Sequence, residues 1–381
     1  MPEPADSGGP LAGLRALDLT GRLGWLLGKI LADLGVEVWK VDPPGGDPHR
    51  LEPPLLEGPA GRAGAEWVAF NAGKRGLDLD LLSEGGRRAF REHAAVSDFV
   101  LDTAEPGALE ELGIGWPQLS ERDPALVMTS ITPYGQTGPL AHAPAGDLEL
   151  MAAGGAVWLT GDPERPPARV TQPQAGPWAS AYAAVGTLIA HHHRRATGRG
   201  QHVDASAQSA ILPMLVHAPC FWEMLGVNPV RAGAFLVGRS VHGAAMRNVW
   251  PCRDGYITWA LYGGPAGRQS NRGLAEWMAE RGMAPDFLLE MDWDAFDVAS
   301  VTREELERIE AAMAPFFLTL TKRDFMEQAQ ARRLLGYAVA TAADIAQDPQ
   351  LEARDVWRDV DVAELGRPVR LPGGWYRPTG R

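Results

Sequence analysis

The stretch LRALDLTGRLGWLLGKILADLGVEVWKVD (14–42) decides how the rest of the chain is read. LRALDL is an apolar, β-rich run, GRLGWLLGKILADLG carries apolar residues at helical spacing, and VEVWKVD is strand-like again. Gly35 stands where a helix stop belongs. A strand–helix–strand unit with buried strands predicts a right-handed crossover and a parallel sheet. The glycines at 21, 24 and 28 read G-x-x-G-x-x-x-G, so the G-x-G-x-x-G turn that brings backbone close to a pyrophosphate is absent. The unit does not point to a nicotinamide or flavin.

Working outward, SDFVLDT (97–103) and ALVMTSITPY (125–134) supply two more strands. PGALEELGIGWPQLSERDP (106–124) between them reads as a helix with Pro106 near its start. Helical stretches follow at LELMAAGGAVWL (148–159) and WASAYAAVGTLIAHHHRRATG (178–198), then a turn, strand and helix in TGRGQHVDASAQSAIL (197–212). From about 225 to 340 the chain changes character. WPCRDGYITWAL (250–261) reads as a hairpin turning at Asp254-Gly255, and helical segments come after it. VWRDVDVAELGRPVRLPGGWYRP (356–378) returns to β signals. The expectation is an α/β protein: a large open-sheet domain over 11–215 plus 341–381, and a small α+β domain over 225–340.

The 381 residues carry a net charge of −12 and 45% apolar residues, which disfavours nucleic acid as a partner and extended disorder alike. MPEPADSGGP lacks the pattern of a signal peptide, and no apolar run reaches the roughly 18 residues of a membrane span. Cys220 and Cys252 lack CxxC spacing and fit a reducing compartment. These features suggest a cytoplasmic protein without membrane contact.

Several local clusters could carry chemistry. HHHRR (191–195) would fan around a helix by about 100° per residue, so it suits a helix C-terminus better than a metal. NAGKR (71–75) is either a solvated basic turn or a site for a phosphate or extended anion, through Asn71, Lys74 and Arg75. YGQTGP (134–139) is either a plain turn or a ligand loop, in which Tyr134, Gly135, Gln136, Thr137 and Gly138 would line a cleft. Asp147 of PAGDLEL stands at a helix start, where capping is its ordinary role. No G-x-S-x-G elbow exists for a serine hydrolase.

The order of these segments resembles the family III CoA-transferases, the CaiB/BaiF or formyl-CoA transferase-like group that includes carnitine CoA-transferase and α-methylacyl-CoA racemases. The resemblance runs through LAGLRALDL, NAGKRGLDLDL, EPGALEELGIG, LVMTSITPYGQTGP, PAGDLELMAAGG, LTGDPERPPARV and TGRGQHVDASAQSA. It implies a Rossmann-like large domain formed by both chain ends, an inserted small domain, and two chains threaded as interlocked rings. It implies CoA or acyl-CoA as substrate, no metal, and an aspartate that carries acyl and CoA groups covalently. That aspartate's position falls at Gly176 in RVTQPQAGPWASAYAA (169–184). The racemase pattern is also missing, with glycine at 146 and 176. Cations usual along the CoA path are replaced by Glu105, Glu111, Pro44 and Ala143, which leaves Lys74 and Arg75. The resemblance is therefore closest to the aspartate-less subunit of benzylsuccinate CoA-transferase-type enzymes. It implies a partner subunit carrying the aspartate, or otherwise a homodimer. The alternatives are an independent acyl-CoA enzyme using Asp147 or Glu149 as carrier, or a non-catalytic binding protein of the same fold.

Overall fold

The computed structural model describes residues 9–373. The opening stretch folds as read: β1 (Arg15–Leu19), α1 (Trp25–Asp33) and β2 (Glu37–Asp42) form a parallel β-α-β unit, with Gly35 at φ 101° where the chain leaves the helix. After α2 (Ala65–Asn71) comes the edge strand β3 (Arg75–Asp78), then α3 (Glu84–Ala94) and β4 (Phe99–Asp102). β5 (Val127–Thr132), α4 (Asp147–Ala153), α5 (Ala175–Thr197) and β6 (His202–Ser206) complete the set. All neighbours are parallel and their order is β3-β2-β1-β4-β5-β6, the doubly wound arrangement.

Period-two alternation sends adjacent strand residues to opposite faces of this sheet. Ala16, Phe99, Leu101 and Val127 join one core with Leu27 and Leu31 of α1 and the alanines of α5. Leu17, Val100 and Met128 join the other, with Phe90 and Ala94 of α3. The alanines and Gly28 permit close layers. A Cβ on Gly28 would lie 2.1 Å from Asp18 Oδ2, so the glycine of the non-fingerprint serves helix–strand contact.

Residues 106–124 depart from expectation. They form two short helices, Ala108–Glu111 and Trp116–Arg122, because Gly113 turns left-handed at φ 71° and Gly115 begins a new helix. LELMAAGGAVWL is likewise broken after Ala153, at Gly154-Gly155. The histidine cluster ends α5 as anticipated, and Gly198 closes the helix at φ 73°. There His191 is buried against Phe99 at 5.5 Å, and Arg194 Nη2 donates to Asp98 at 2.9 Å.

The described residues divide into two compact units, 9–158 with 169–229 and 349–373, and 159–168 with 230–348. This differs from the sequence reading in three places, the first being residues 225–229, which group with the large unit. Residues 159–168 group with the small unit because Arg231 donates to the Asp162 and Arg165 carbonyls at 3.4 and 3.3 Å. Residues 341–348 stay there as well, held by the Lys322–Asp344 ion pair. Residues 374–381 of the anticipated large domain lie outside the described residues, as do residues 1–8. In the small unit, β7 (Val249–Cys252) and β8 (Gly255–Trp259) make the anticipated hairpin, and β9 (Gly336–Ala338) extends it. The C-terminal β10 (Trp357–Val362) and β11 (Arg367–Pro372) pack Val362, Leu365 and Leu371 with Trp25, Trp67 and Val68 of the large unit. Among the described residues no helix is long and apolar enough to cross a membrane.

Candidate active site

Open parallel sheets bind ligands beyond the carboxyl ends of their strands, where successive loops diverge. In the large unit a cavity of about 460 Å³ opens there, lined by Arg22, Leu23 and Leu26 after β1, His49 after β2, and Glu66 and Phe70 of α2. The PAGD segment contributes Ala145, Gly146 and Asp147, and the α5 junction contributes Pro173, Ala175, Gly176 and Pro177. Sequence positions more than 100 residues apart thus meet around Gly176.

Asp147 caps a helix, though a different one from that expected. It is the first residue of α4, yet its Oδ1 accepts the backbone N–H groups of Gln174 at 2.6 Å and Ala175 at 2.8 Å, at the start of α5. Glu149 accepts the Gly146 N–H through Oε2 at 3.1 Å and so closes the N-terminus of α4 itself. At Gly176 an added Cβ would stand 3.2 Å from Arg22 O and 3.4 Å from Leu23 O. A side chain there enters a tight space walled by carbonyl oxygens.

The NAGKR turn splits into unlike halves. Lys74 has a side chain only 1% exposed, and its Nζ donates to Asp18 Oδ2 at 2.8 Å, Trp25 O at 2.7 Å and Asn71 Oδ1 at 2.8 Å. Burial lowers its pKa from the usual lysine value, and the Asp18 carboxylate opposes that fall. All three donors are used internally, so the phosphate contact expected of Lys74 does not match this placement. Asn71 is buried beside it and donates to Trp67 O at 3.1 Å. Arg75, by contrast, is 44% exposed, pairs with Glu37 at 2.8 Å and lies over the Trp39 ring at 5.5 Å.

The 134–138 loop follows β5 as anticipated. Gly135 (φ 98°) and Gly138 (φ 102°) both need the left-handed region, and Gly135 N–H donates to Thr132 Oγ1 at 2.9 Å. Gln136 N–H reaches Asp204 at 3.1 Å, Tyr134 is half-buried, and Thr137 is exposed. Glu105, Glu111 and Pro44 are exposed and Ala143 is partly so, none of them supplying positive charge.

The sequence reading missed two groups. Arg22 donates to Glu52 at 3.0 Å and through Nε to Glu66 at 3.1 Å, which ties the loop after β1 to the loop after β2 and to α2. Next to segment 103–107, Asp102 Oδ2 accepts from Ser130 Oγ at 2.5 Å, and Ser130 Oγ lies 2.9 Å from His202 Nε2. Burial raises the Asp102 carboxyl to about 6, and burial also lowers the His202 imidazole. No spacing along the chain announces either group, because each is assembled from separate loops or strands. Among the described residues no cluster of three or more His, Cys, Asp or Glu could hold a metal ion.

The chain is 34% identical to a subunit of succinyl-CoA:(R)-benzylsuccinate CoA-transferase from Thauera aromatica, over 95% of this chain and 86% of that one. It is equally 34% identical to the beta subunit of succinyl-CoA–L-malate CoA-transferase from Chloroflexus aurantiacus, with 95% and 86% coverage. A CaiB/BaiF family protein from Brucella suis superposes with a TM-score of 0.79 at 25% identity, over 95% of this chain and 96% of the other. Residues 11–379 match the family described as CoA-transferase family III, and the chain belongs to that family.

Proposed function

We propose that this chain is the non-nucleophilic subunit of a heteromeric CoA-transferase that moves CoA between a thioester and a carboxylic acid in the cytoplasm. The observation that carries the reading is Gly176 at the cavity, in the position the family resemblance assigns to the covalent aspartate. Glycine offers nothing to bear an acyl group. The two substitute carboxylates are already committed, Asp147 Oδ1 to two backbone donors and Glu149 Oε2 to Gly146. This supports a subunit role over an independent carrier at Asp147 or Glu149. Two of the relatives above are themselves named as subunits.

The outer faces of the large unit suit a homologous partner. Tyr182, Val185 and Ile189 form an exposed apolar stripe on α5, and Phe221, Trp222, Met224 and Leu225 are exposed on the helix His217–Leu225. The partner would be a homologue with aspartate at this junction, in the interlocked arrangement, and a homodimer of this chain would substitute for it. Where CoA contacts this chain, Arg75 and the backbone of 134–138 are its available groups. The test is transferase activity with succinyl-CoA and a panel of acids. The chain alone should give no turnover, and addition of an aspartate-bearing homologue should produce it. Turnover by the pure chain alone would refute the proposal.

A further inference from the structure

The cavity contains a general-base arrangement that the transferase reading does not use. His49 lines it together with Gly176, and its Nδ1 lies 2.6 Å from Glu52 Oε1. Glu52 is held in turn by Arg22, whose Nη1 donates to Oε2 at 3.0 Å. The hydrogen bond from His49 and the Arg22 charge keep the Glu52 carboxyl below the usual range; an ionised carboxylate can only accept, so the Nδ1 hydrogen is directed to it and the neutral tautomer of this pair carries its lone pair on Nε2. Nε2 has no partner among the described residues. The ring is held on its other sides too. His49 N–H donates to Asp47 at 2.8 Å, and Trp25, tied to Asp47 at 3.2 Å, meets the imidazole edge-on at 6.2 Å.

We propose that this cavity hydrolyses acyl-CoA thioesters with His49 as the general base, an inference that rests on the reading of the chain as a binder of CoA thioesters. His49 Nε2 takes a proton from water as the water oxygen bonds to the thioester carbonyl carbon. The tetrahedral intermediate then collapses, the C–S bond breaks, and the imidazolium returns the proton to the departing CoA sulfur. The products are a free carboxylic acid and CoA thiol, and water is the only co-reactant. Gly176 lines the same cavity and its N–H is left without an acceptor among the described residues, while Asp147 holds Gln174 N–H and Ala175 N–H, so this N–H is the backbone donor the proposal assigns to the developing oxyanion. The same wall selects the acyl group. Arg22 is paired with Glu66 on the wall and with Glu52 behind it, Asp147 adds a further carboxylate, and Leu23, Leu26 and Phe70 are apolar, so neutral acyl groups fit and a second carboxylate is repelled.

The experiment follows thiol release from butyryl-CoA, benzoyl-CoA and succinyl-CoA by the purified full-length chain, with calorimetry of butyryl-CoA binding alongside. Release above the buffer rate is expected, slowest with succinyl-CoA. His49→Gln should lower it about 100-fold while butyryl-CoA still binds. Glu52→Gln should lower it too, with little further loss in the double variant, because the two residues act as one unit. Added imidazole should restore part of the rate to His49→Gly, which loss of a merely structural residue would not allow. If butyryl-CoA binds and is not hydrolysed, or His49→Gln is as active as the parent, the hydrolysis is refuted and the transferase reading stands. If no thioester binds to the chain, alone or with an aspartate-bearing homologue, both fail together.

Discussion

Asp102→Asn should stabilise the protein at neutral pH and lose that advantage in acid. Asp102 is buried at the end of β4, and burial raises its carboxyl from the ordinary 3.8 to about 6. A rise of that size corresponds to about 3 kcal/mol lost when the group is held ionised at pH 7.5. The sign follows from proton binding. Between about pH 4 and 6 the folded chain holds a proton on Asp102 that the unfolded chain has released. Stability from this group therefore rises as pH falls through 6. Asparagine keeps the site satisfied: its Oδ1 still accepts Ala104 N–H, at 3.0 Å for the carboxylate, and its Nδ2 donates to Ser130 Oγ. Ser130 then turns its hydroxyl toward His202 Nε2, 2.9 Å away. Urea unfolding of parent and variant at pH 7.5 and pH 5.0 measures the effect. The variant should be more stable by about 1–3 kcal/mol at pH 7.5, and the gap should shrink by about 1.5 kcal/mol at pH 5.0. Because the comparison is between two proteins at each pH, other titrating groups cancel. A gap that does not change with pH, or a parent more stable at pH 7.5, would refute the argument that burial governs this carboxyl.

Three other outcomes follow from the same geometry. Lys74→Ala strands the buried Asp18 carboxylate and should cost about 3–5 kcal/mol in urea unfolding; a variant of unchanged stability with weakened CoA affinity would instead return Lys74 to the ligand. Gly28→Ala places a Cβ 2.1 Å from Asp18 Oδ2 and should destabilise by about 1–3 kcal/mol through strain on the α1–β1 contact, read as a lower melting temperature. Gly176→Asp should restore no transferase turnover to the chain alone, since its Cβ would crowd Arg22 O at 3.2 Å and the wall already carries excess negative charge; turnover equal to that of an aspartate-bearing homologue would contradict this.

By itself the sequence determined the large sheet except for its edge strand at Arg75–Asp78, which was not read as a strand. The apolar runs at 14–19, 36–42, 97–103 and 125–134 alternate with helical spacing, and burial on both faces leaves a parallel sheet as their common solution. The order of motifs determined the family, and the resemblance set Gly176 at the position where a carboxylate was expected. Periodicity could not place breaks inside helical composition, so 106–124 read as one helix until Gly113 turned left-handed. Nor could it say which cations meet solvent. Lys74 and Arg75 are neighbours, but the lysine leaves the edge strand toward Asp18 beneath α1 while the arginine lies outward over Trp39. Asp147 announces a helix start in sequence, and only the folded chain shows that the helix it caps begins 28 residues later. The cluster of Arg22, His49, Glu52 and Glu66 at the cavity was illegible for the same reason. Arg22 follows β1, His49 and Glu52 share the loop after β2, and Glu66 stands on α2, and the order of strands in the sheet, not distance along the chain, brings Arg22 within hydrogen-bonding reach of both glutamates.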